Sequence, residues 1–389
     1  MTTIPKTANK AGLVATAVST AADTATAAAE ILRQLTGQQA FIIYFAGAAH
    51  DQALLAGQLA AGQPGVPMIG CSTAGEVSTG TGFLAGSVVA FAFGPEAVSR
   101  AAVGMCAPLS TEAGHAGDTL RSLAAQMAVD VRDLDPAKYL GLVLPDGLSL
   151  KEEILMDALG DAAPDLIVVG GSAGDDLQFK TTYVTANGQV HSNGAALALL
   201  EMRVPFVISK STHFRPTGMT FVATKVDEAN RTVYEFDGQP AQEAYAKAVG
   251  STPEALDTAL MAAHPIGLVI GDDPFVRSLQ RKGPDGSLVF FSNVLEGSIV
   301  SLLEPGDMAA TTVAALDDLE ATLGTVAGLL AFTCILRWVE AGTCGTTQAM
   351  YTEVTRRGIP MVGFNTYGEQ YLGHINQTVT FLAVGTPQP

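Results

Sequence analysis

The sequence predicts an α/β protein made of two related halves of mixed β-sheet, built from repeated strand-helix-strand-strand units with the helices outside. A ten-residue motif carries this prediction. It reads P-M-I-G-C-S-T-A-G-E at residues 67–76 and P-M-V-G-F-N-T-Y-G-E at 360–369, with a weaker copy, L-I-V-V-G-G-S-A-G-D, at 166–175. Each copy follows a short apolar run and a helix-like segment. One supersecondary unit is therefore used at least three times, and we expect two halves to face each other across a cleft lined by the motif turns.

The first half of the chain alternates buried strands with helices. A loose arm precedes an Ala-rich run at 15–35 that predicts a helix, so that the arm and the helix start occupy residues 1–27. Asp51 can cap the next helix, because a carboxylate accepts hydrogen bonds from the free N–H groups at a helix start. Strands are predicted at 41–45, 67–70, 87–93, 101–106, 141–144, 166–169, 181–184 and 195–200, and helices at 52–61, 115–128 and 148–159. Residues 28–205 form the first predicted domain.

The second predicted domain comprises residues 206–389. Two domains are expected because a chain of 389 residues exceeds what one ordinary core organises, about 150–200 residues. Strands are predicted at 206–210, 219–225, 232–236, 266–270, 288–291, 329–334 and 378–384, and helices at 241–249, 316–323 and 346–356.

The composition excludes several classes of protein. Hydrophobic residues make up 48% of the chain and charged residues 15%, which is typical of a well-buried α/β protein and excludes a disordered chain. The formal net charge is −17. This charge argues against binding to nucleic acid or to an anionic membrane surface, since both require clustered Lys and Arg. No run reaches the roughly 18 apolar residues of a spanning helix, and no signal peptide is recognised.

The cysteines and histidines lack the spacing of a zinc site. The four cysteines are scattered, without a C-x-x-C pair, and the six histidines form neither H-x-x-x-H nor H-E-x-x-H. The absence of C-x-x-C-H also excludes covalently attached haem c. We therefore expect reduced thiols in a cytoplasmic protein.

Four stretches together resemble the paired FIST N and FIST C domains, a sensory module. They are I-G-C-S-T-A-G-E at 69–76, G-G-S-A-G-D-D at 170–176, F-D-G-Q-P-A-Q-E-A-Y at 236–245 and G-F-N-T-Y-G-E-Q-Y…H-I-N-Q-T at 363–378. The resemblance covers residues 28–386 and implies a small-ligand sensor in signal transduction rather than an enzyme. The chain leaves no room for a kinase, cyclase or F-box module, so it resembles a free-standing FIST sensor.

One branch of free-standing members of similar length resembles haem-based nitric oxide sensors that regulate a partner histidine kinase in a two-component system. The resemblance therefore implies haem b as the cofactor, nitric oxide as the signal and a histidine kinase as the partner. Many FIST sequences have a Trp-Arg/Lys-Pro sequence where this chain reads S-K-S-T-H-F-R-P-T at 209–217. His213 is accordingly the predicted haem ligand, and His374 is the second choice, because haem iron needs an imidazole in an apolar pocket.

The motif turns supply the predicted ligand contacts. Glycines allow close backbone approach there, and small polar side chains stand at strand ends, where open α/β sheets bind ligands. The predicted ligand-binding residues are Ser72, Thr73, Glu76, Ser172, Asn365, Thr366 and Glu369. The two glutamates occupy equivalent positions, so they are either an acid/base pair or, more simply, carboxylates that accept hydrogen bonds from their own turns.

Two alternatives to a haem sensor remain open from the sequence. One is a haem-free FIST sensor of an amino acid or other small metabolite. The other is a hydrolase or transferase that uses Cys71 with a base such as His50, although a buried small hydrophobic residue is the simpler interpretation of Cys71. The sequence also leaves the oligomeric state open, a homo-oligomer included.

Overall fold

The computed structural model describes residues 12–387, whose strands form four β-sheets. Up to residue 202 the elements are β1 (Val14–Ser19), α1 (Thr24–Gln34), β2 (Phe41–Gly47), α2 (Gln52–Gly62), β3 (Met68–Thr73), β4 (Glu76–Ser78), β5 (Gly82–Leu84), β6 (Val88–Phe93), β7 (Val98–Cys106), α3 (Leu109–Glu112), α4 (Ala116–Gln126), β8 (Tyr139–Pro145), α5 (Glu152–Ala162), β9 (Val168–Gly171), β10 (Val184–Ala186), β11 (Gln189–His191) and β12 (Ala195–Met202).

The remaining elements are β13 (Phe206–Ser211), β14 (Phe214–Asp227), β15 (Thr232–Phe236), β16 (Gln239–Pro240), α6 (Ala241–Ala248), α7 (Thr258–Ala263), β17 (Ile266–Ile270), β18 (Asp273–Arg277), β19 (Leu279–Lys282), β20 (Leu288–Phe290), β21 (Ile299–Pro305), α8 (Met308–Leu323), β22 (Val326–Cys334), α9 (Ile335–Cys344), α10 (Thr347–Arg356), β23 (Met361–Thr366), β24 (Glu369–Tyr371), β25 (His374–Ile375) and β26 (Val379–Gly385). None of the helices between residues 12 and 387 combines the length and apolarity needed to cross a bilayer.

Three of the sheets have the same strand plan. Their orders are β1-β6-β2-β3-β10-β11, β7-β12-β8-β9-β24-β25 and β13-β26-β22-β23-β4-β5. At the centre of each sheet two strands run parallel, β2 with β3, β8 with β9, and β22 with β23, and the other pairs are antiparallel. A parallel pair needs a crossover, which α2, α5 and the α9–α10 pair provide. The chain therefore contains three copies of one unit, β1–β6, β7–β12 and β13–β26.

The units exchange strands in a closed cycle. The hairpin after the second parallel strand does not join its own sheet. Thus β4 of the first unit pairs with β23 of the third, β24 of the third pairs with β9 of the second, and β10 of the second pairs with β3 of the first. We call the resulting assembly of three sheets the three-sheet body.

The inner faces of the three sheets share one core, and the helices cover the outer faces. Alternate residues of a strand point to opposite faces. In β2, Phe41, Ile43 and Phe45 enter the common core, whereas Ile42 and Tyr44 pack beneath α1 and α2. The second sheet is covered in the same way by α4 and α5, and the third by α8 and α10. Burial on both faces explains why these strands read as continuous apolar runs.

The fourth sheet interrupts the third unit. After β13 the chain leaves the three-sheet body, forms β14–β21 with α6 and α7, and returns at α8. We call residues 214–305 the insert. It has its own apolar core, which includes Phe236, Tyr245 and Phe290. The two crossings are joined by a hydrogen bond from Gly306 N to His213 O of 2.7 Å.

The predicted fold class is confirmed, and the structure adds that the related units number three. The strand predicted at 181–184 is displaced to Val184–Ala186. The helix predicted over residues 15–35 is wrong, because these residues do not form a single helix. Val14–Ser19 is β1, which pairs with β6 along its full length, and α1 begins at Thr24 with Asp23 as its cap. The β-branched residues Val14 and Val18 favour the strand over the local helix propensity of alanine.

The predicted domain boundaries stay a prediction. Position 205/206 falls between β12 and β13, where the second unit ends and the third begins. The first part of the predicted arm, residues 1–11, lies outside the described residues.

Candidate functional site

A cavity of about 570 Å³ lies between the three-sheet body and the insert, and we call it the ligand cavity. Its volume is in the range of small-molecule sites, roughly 300–1,000 Å³. The body contributes Gly147, Leu148, Leu150, Leu177, Phe179, Cys334, Ile335, Leu336, Tyr367 and Asn376; the insert contributes Asp227, Asn230, Arg231, Thr232, Tyr234, Gln280, Arg281, Val289, Phe290 and Phe291. A ligand in this cavity would therefore contact both parts of the molecule.

Two stacked aromatic rings form one wall of the ligand cavity. The rings of Phe179 and Tyr367 lie 5.1 Å apart at 23°. Tyr367 is fixed because its hydroxyl donates to Asp175 Oδ1 at 2.5 Å and accepts from Leu177 N at 2.8 Å. Burial, followed by the bond to Asp175, raises the pKa of Tyr367, so the phenol stays protonated. Phe179 itself is 53% exposed.

The segment that carries Phe179 is held in a strained conformation. The φ angles of Asp176, Leu177 and Phe179 are positive and lie between 51° and 60°. A positive φ costs free energy in residues other than glycine. The carboxylate of Asp175 compensates by accepting hydrogen bonds from the backbone N–H of Phe179, and of the two residues that follow it, at 2.6–3.0 Å. The loop therefore presents the Phe179 ring in one place.

Buried ions connect the body to the insert behind the cavity wall. Arg231 Nη2 lies 2.7 Å from Glu152 Oε2 and 2.6 Å from Glu153 Oε2, both in the first turn of α5. Glu153 also accepts a hydrogen bond from Asn293 N at 2.7 Å. The side chains of Arg231 and Glu152 are 6% and 1% exposed. Removing either charge would therefore leave the other one buried without a partner. Burial lowers the pKa of neighbouring His374, which favours its neutral form.

The predicted ligand residues of the motif turns lie elsewhere. The turns at 72–76, 172–176 and 365–369 meet at the centre of the three-sheet body and bond to one another. Backbone N–H groups of Gly174, Tyr367 and Ala74 donate to the carbonyls of Ser72, Ser172 and Asn365 at 3.0, 3.1 and 3.2 Å respectively. We call this cycle the turn ring. Gly75 is required in it, because its φ is 110° and a Cβ there would lie 2.9 Å from Asn365 Nδ2.

The side chains of the seven predicted ligand residues are at most 2% exposed and make hydrogen bonds within the protein. Ser72 donates to Gly174 O at 2.8 Å, Ser172 donates to Glu152 at 3.2 Å, and Asn365 donates to Ala74 O at 3.3 Å. None of the seven predicted ligand residues lines the ligand cavity. The structure gives Ser72, Thr73, Glu76, Ser172, Asn365, Thr366 and Glu369 roles in the turns, and their role as ligand contacts stays a prediction.

The two equivalent glutamates have matching surroundings. Glu76 accepts hydrogen bonds from Thr73 and from the backbone and hydroxyl of Ser87, and Glu369 accepts them from Thr366 and from the backbone and hydroxyl of Thr378. Burial raises the pKa of Glu76 to about 7 and that of Glu369 to about 8, although the hydrogen bonds oppose the shift. Each carboxyl therefore closes its own turn, as the simpler interpretation of the motif has it.

Cys71 has no nucleophile geometry. Its side chain is fully buried in the common core, and burial, followed by the charge of Glu76, raises the pKa of its thiol well above the ordinary value. His50 is engaged elsewhere, with Thr24 Oγ1 at 3.2 Å and Gly86 O at 3.2 Å. The thiolate that covalent catalysis needs is therefore disfavoured here.

The predicted haem ligands do not fit haem in this structure. His213 is buried, and both of its ring nitrogens are in use, Nε2 with Glu340 at 2.7 Å and Nδ1 with Arg337 at 3.4 Å. The space beside Arg337 measures only about 50 Å³. Nε2 of His374 has no hydrogen-bond partner within residues 12–387, but the ring packs against Gly368 so closely that a Cβ there would lie 2.1 Å from it. Neither histidine lines the ligand cavity.

Reasoning from the sequence missed the residues that do line the cavity. Asn376 stands in the H-I-N-Q-T stretch beside His374, so the motif pointed to its neighbourhood. Arg231 follows a turn in an unremarkable A-N-R-T stretch, and Phe179 follows the second motif copy in a loop without a signature. Their approach depends on how the insert packs against the body, which local patterns do not encode.

Replacing Glu369 should change how stability depends on pH. Its pKa is raised in the folded protein from 4.5 to about 8, so the folded state binds the proton more tightly than the unfolded state. This contribution is complete below pH 4.5 and is lost as the pH rises through about 8. In Glu369→Gln we expect the decline of the unfolding free energy across this window to be shallower by up to about 1.4 kcal/mol per pH unit.

Urea unfolding at several pH values measures this slope. Glu304→Gln, which removes a partly exposed carboxylate on β21, controls for the loss of one acidic group. Identical slopes for Glu369→Gln and the unaltered protein would contradict the prediction.

Removing Arg231 should be far more costly than removing a surface arginine. In Arg231→Met the buried Glu152 and the partly buried Glu153 lose their partner, and we expect a loss of about 3–5 kcal/mol in unfolding free energy. Arg215→Met breaks the exposed pair with Glu304 and should cost at most about 1 kcal/mol. Adding Glu152→Gln to Arg231→Met should restore part of the stability. Equal losses in the two single variants, measured by chemical unfolding, would refute the expectation.

Similarity to known protein families shows where the chain belongs. The FIST N domain model matches residues 40–239, and the FIST C domain model matches residues 241–372. An uncharacterized protein of Methanocaldococcus jannaschii, MJ1623, is 24% identical over 257 residues, which is 61% of this chain and 48% of that protein. The chain thus spans about half the length of this relative. FIST domains are small-ligand sensory and signal-transduction domains. Because the two models together match most of the sequence, the chain belongs to the FIST family, with a FIST N domain followed by a FIST C domain.

Proposed function

We propose that the protein is a sensor that binds a small organic metabolite in the ligand cavity, without haem. The observation that carries this proposal is the position of the cavity, since its walls come from both the three-sheet body and the insert. A ligand there gains contacts with both parts, whereas a ligand on either part alone would be insensitive to their arrangement. An amino acid or similar metabolite has the right size for about 570 Å³.

The proposed signal is a change in how the insert sits on the body. A ligand shifts a conformational equilibrium by the difference in its affinity for the two states. Two of the attachments that hold the insert are the ion pairs of Arg231 with α5 and the crossing at His213. His213 is anchored to α9 through Glu340 and Arg337, and the first residues of α9 line the cavity. Ligand contacts therefore adjoin both attachments.

The other functions predicted from the sequence have weaker support. Haem-based nitric oxide sensing stays a prediction, which a Soret band that is lost in His213→Ala would support. A histidine kinase partner and a cytoplasmic location also stay predictions. The Cys71 enzyme would need a thiolate in the fully buried core, so we give preference to the metabolite sensor.

Filling the ligand cavity should abolish ligand binding while the fold is retained. Leu150 lines the cavity and is 47% exposed, so a larger side chain can be placed there without disturbing the core. We expect Leu150→Trp to lose the thermal shifts that members of a metabolite library produce in the unaltered protein. Leu54→Trp is the matched control, because Leu54 is a half-exposed leucine of α2 that does not line the cavity.

The result is decided by comparing the two tryptophan variants. Loss of binding in Leu150→Trp but not in Leu54→Trp supports the ligand cavity as the sensory site. Library members that bind equally well to both variants would place the ligand elsewhere and refute the proposal.

A further inference from the structure

We propose that the ligand of this cavity is a monocarboxylate with a flat apolar body, such as an aromatic acid. This inference rests on the proposed function. It adds the charge of the ligand, its polar group and the residues that bind that group. Three features of the described residues carry it, namely unpaired donors, a balance of charge and the aromatic wall.

Two side chains that line the cavity have hydrogen-bond donors without acceptors among the described residues. Arg231 Nε and Asn376 Nδ2 have no hydrogen-bond partner among the described residues. Both residues are nevertheless buried, with Arg231 5% and Asn376 1% exposed. Both residues line the cavity. Leaving a buried donor unpaired is unfavourable, so a ligand that brings acceptor atoms gains binding free energy there.

The two donors belong to one connected cluster. Arg231 Nη1 donates to Phe291 O at 2.6 Å, and Phe291 N donates to Ser278 O at 2.9 Å. Ser278 N in turn donates to Asn376 Oδ1 at 3.4 Å, which turns the amide so that its nitrogen is the free end. A carboxylate has two oxygens and can accept from both a guanidinium and an amide at once.

The charges around this cluster favour one negative charge rather than two. The charged residues that line the cavity are Asp227, Arg231 and Arg281, and those that interact with Arg231 behind it are Glu152, Glu153 and Arg277. The formal charges of these six residues sum to zero, and the whole chain carries −17. A phosphate dianion would meet no net positive field, and a cation would meet unpaired donors. A single carboxylate satisfies the donors at the smallest electrostatic cost.

The aromatic wall accounts for the rest of the ligand. Phe179 and Tyr367 are stacked beside the cavity, and Leu148 and Leu336 extend the apolar surface. Backbone strain around Phe179 is retained in the loop that positions its half-exposed ring. Such strain is found where a structure must present a group to a ligand. A flat apolar body can pack against this wall while its carboxylate reaches Arg231 and Asn376.

The test compares three probes that share a phenyl ring and differ in charge: phenylacetate, 2-phenylethylamine and phenyl phosphate. Binding to the full chain is followed by ligand-observed NMR and calorimetry. We expect phenylacetate to bind at least about tenfold more tightly than either of the other two probes. Asn376→Asp replaces the free donor with an acceptor in the same shape, and it should reverse the preference toward 2-phenylethylamine.

Two further variants keep the test decisive. Gln126→Glu adds the same negative charge at an exposed position of α4 and should leave the order of the probes unchanged. Phe179→Leu alters a half-exposed ring, so it should fold and should weaken phenylacetate binding even if Asn376→Asp does not fold.

The outcomes separate this inference from the proposed function. Phenylethylamine or phenyl phosphate binding as tightly as phenylacetate, with loss of binding in Leu150→Trp, would overturn the ligand class and leave the cavity as the sensory site. Absence of binding by all three probes would also overturn the ligand class. Probe and library binding that is indifferent to Leu150→Trp would overturn both.

Discussion

The turn ring is the constraint on which the rest of the structure depends. Three backbone hydrogen bonds of nearly equal length connect the turns of three units in a cycle. Buried backbone groups must be paired, so each turn needs its neighbours in place. The bonds fix where the three parallel strand pairs converge, and this convergence determines where the sheets meet around their common core. Glu76 and Glu369 reinforce the ring by closing two of the turns from within.

The ligand cavity lies where this symmetry is broken. In the first and third units the chain proceeds directly from the turn into a short strand, β4 or β24. In the second unit it runs instead through the strained loop that carries Phe179 before it reaches β10. At the corresponding place in the cycle, Ser72 N bonds to Tyr183 O rather than to the turn. The insert in the third unit covers this irregular region. The repeated parts of the motif therefore build the frame, and the unique parts surround the cavity.

The sequence predicts the frame better than the site for a physical reason. P-M-x-G and the turn glycines recur within short, contiguous stretches of sequence. The units and the α/β class could therefore be predicted from residues a few positions apart. The exchange of hairpins between units could not, because pairing of β24 with β9 depends on contacts about 200 residues apart along the chain. The surroundings of His213 show the same limit. Its partners Glu340 and Arg337 approach it from another part of the chain, so they could not be predicted from the residues around it in sequence.

The exchange of hairpins has a consequence for synthesis on the ribosome. The second sheet is completed only by β24 and β25, which end at Ile375. Until then, β9 of the emerging chain has an unpaired edge, although its own unit was completed at Met202. Exposed strand edges promote association between chains. The N-terminal half therefore cannot finish folding as it is made, and a nascent chain has to keep this edge covered until Ile375 has been added.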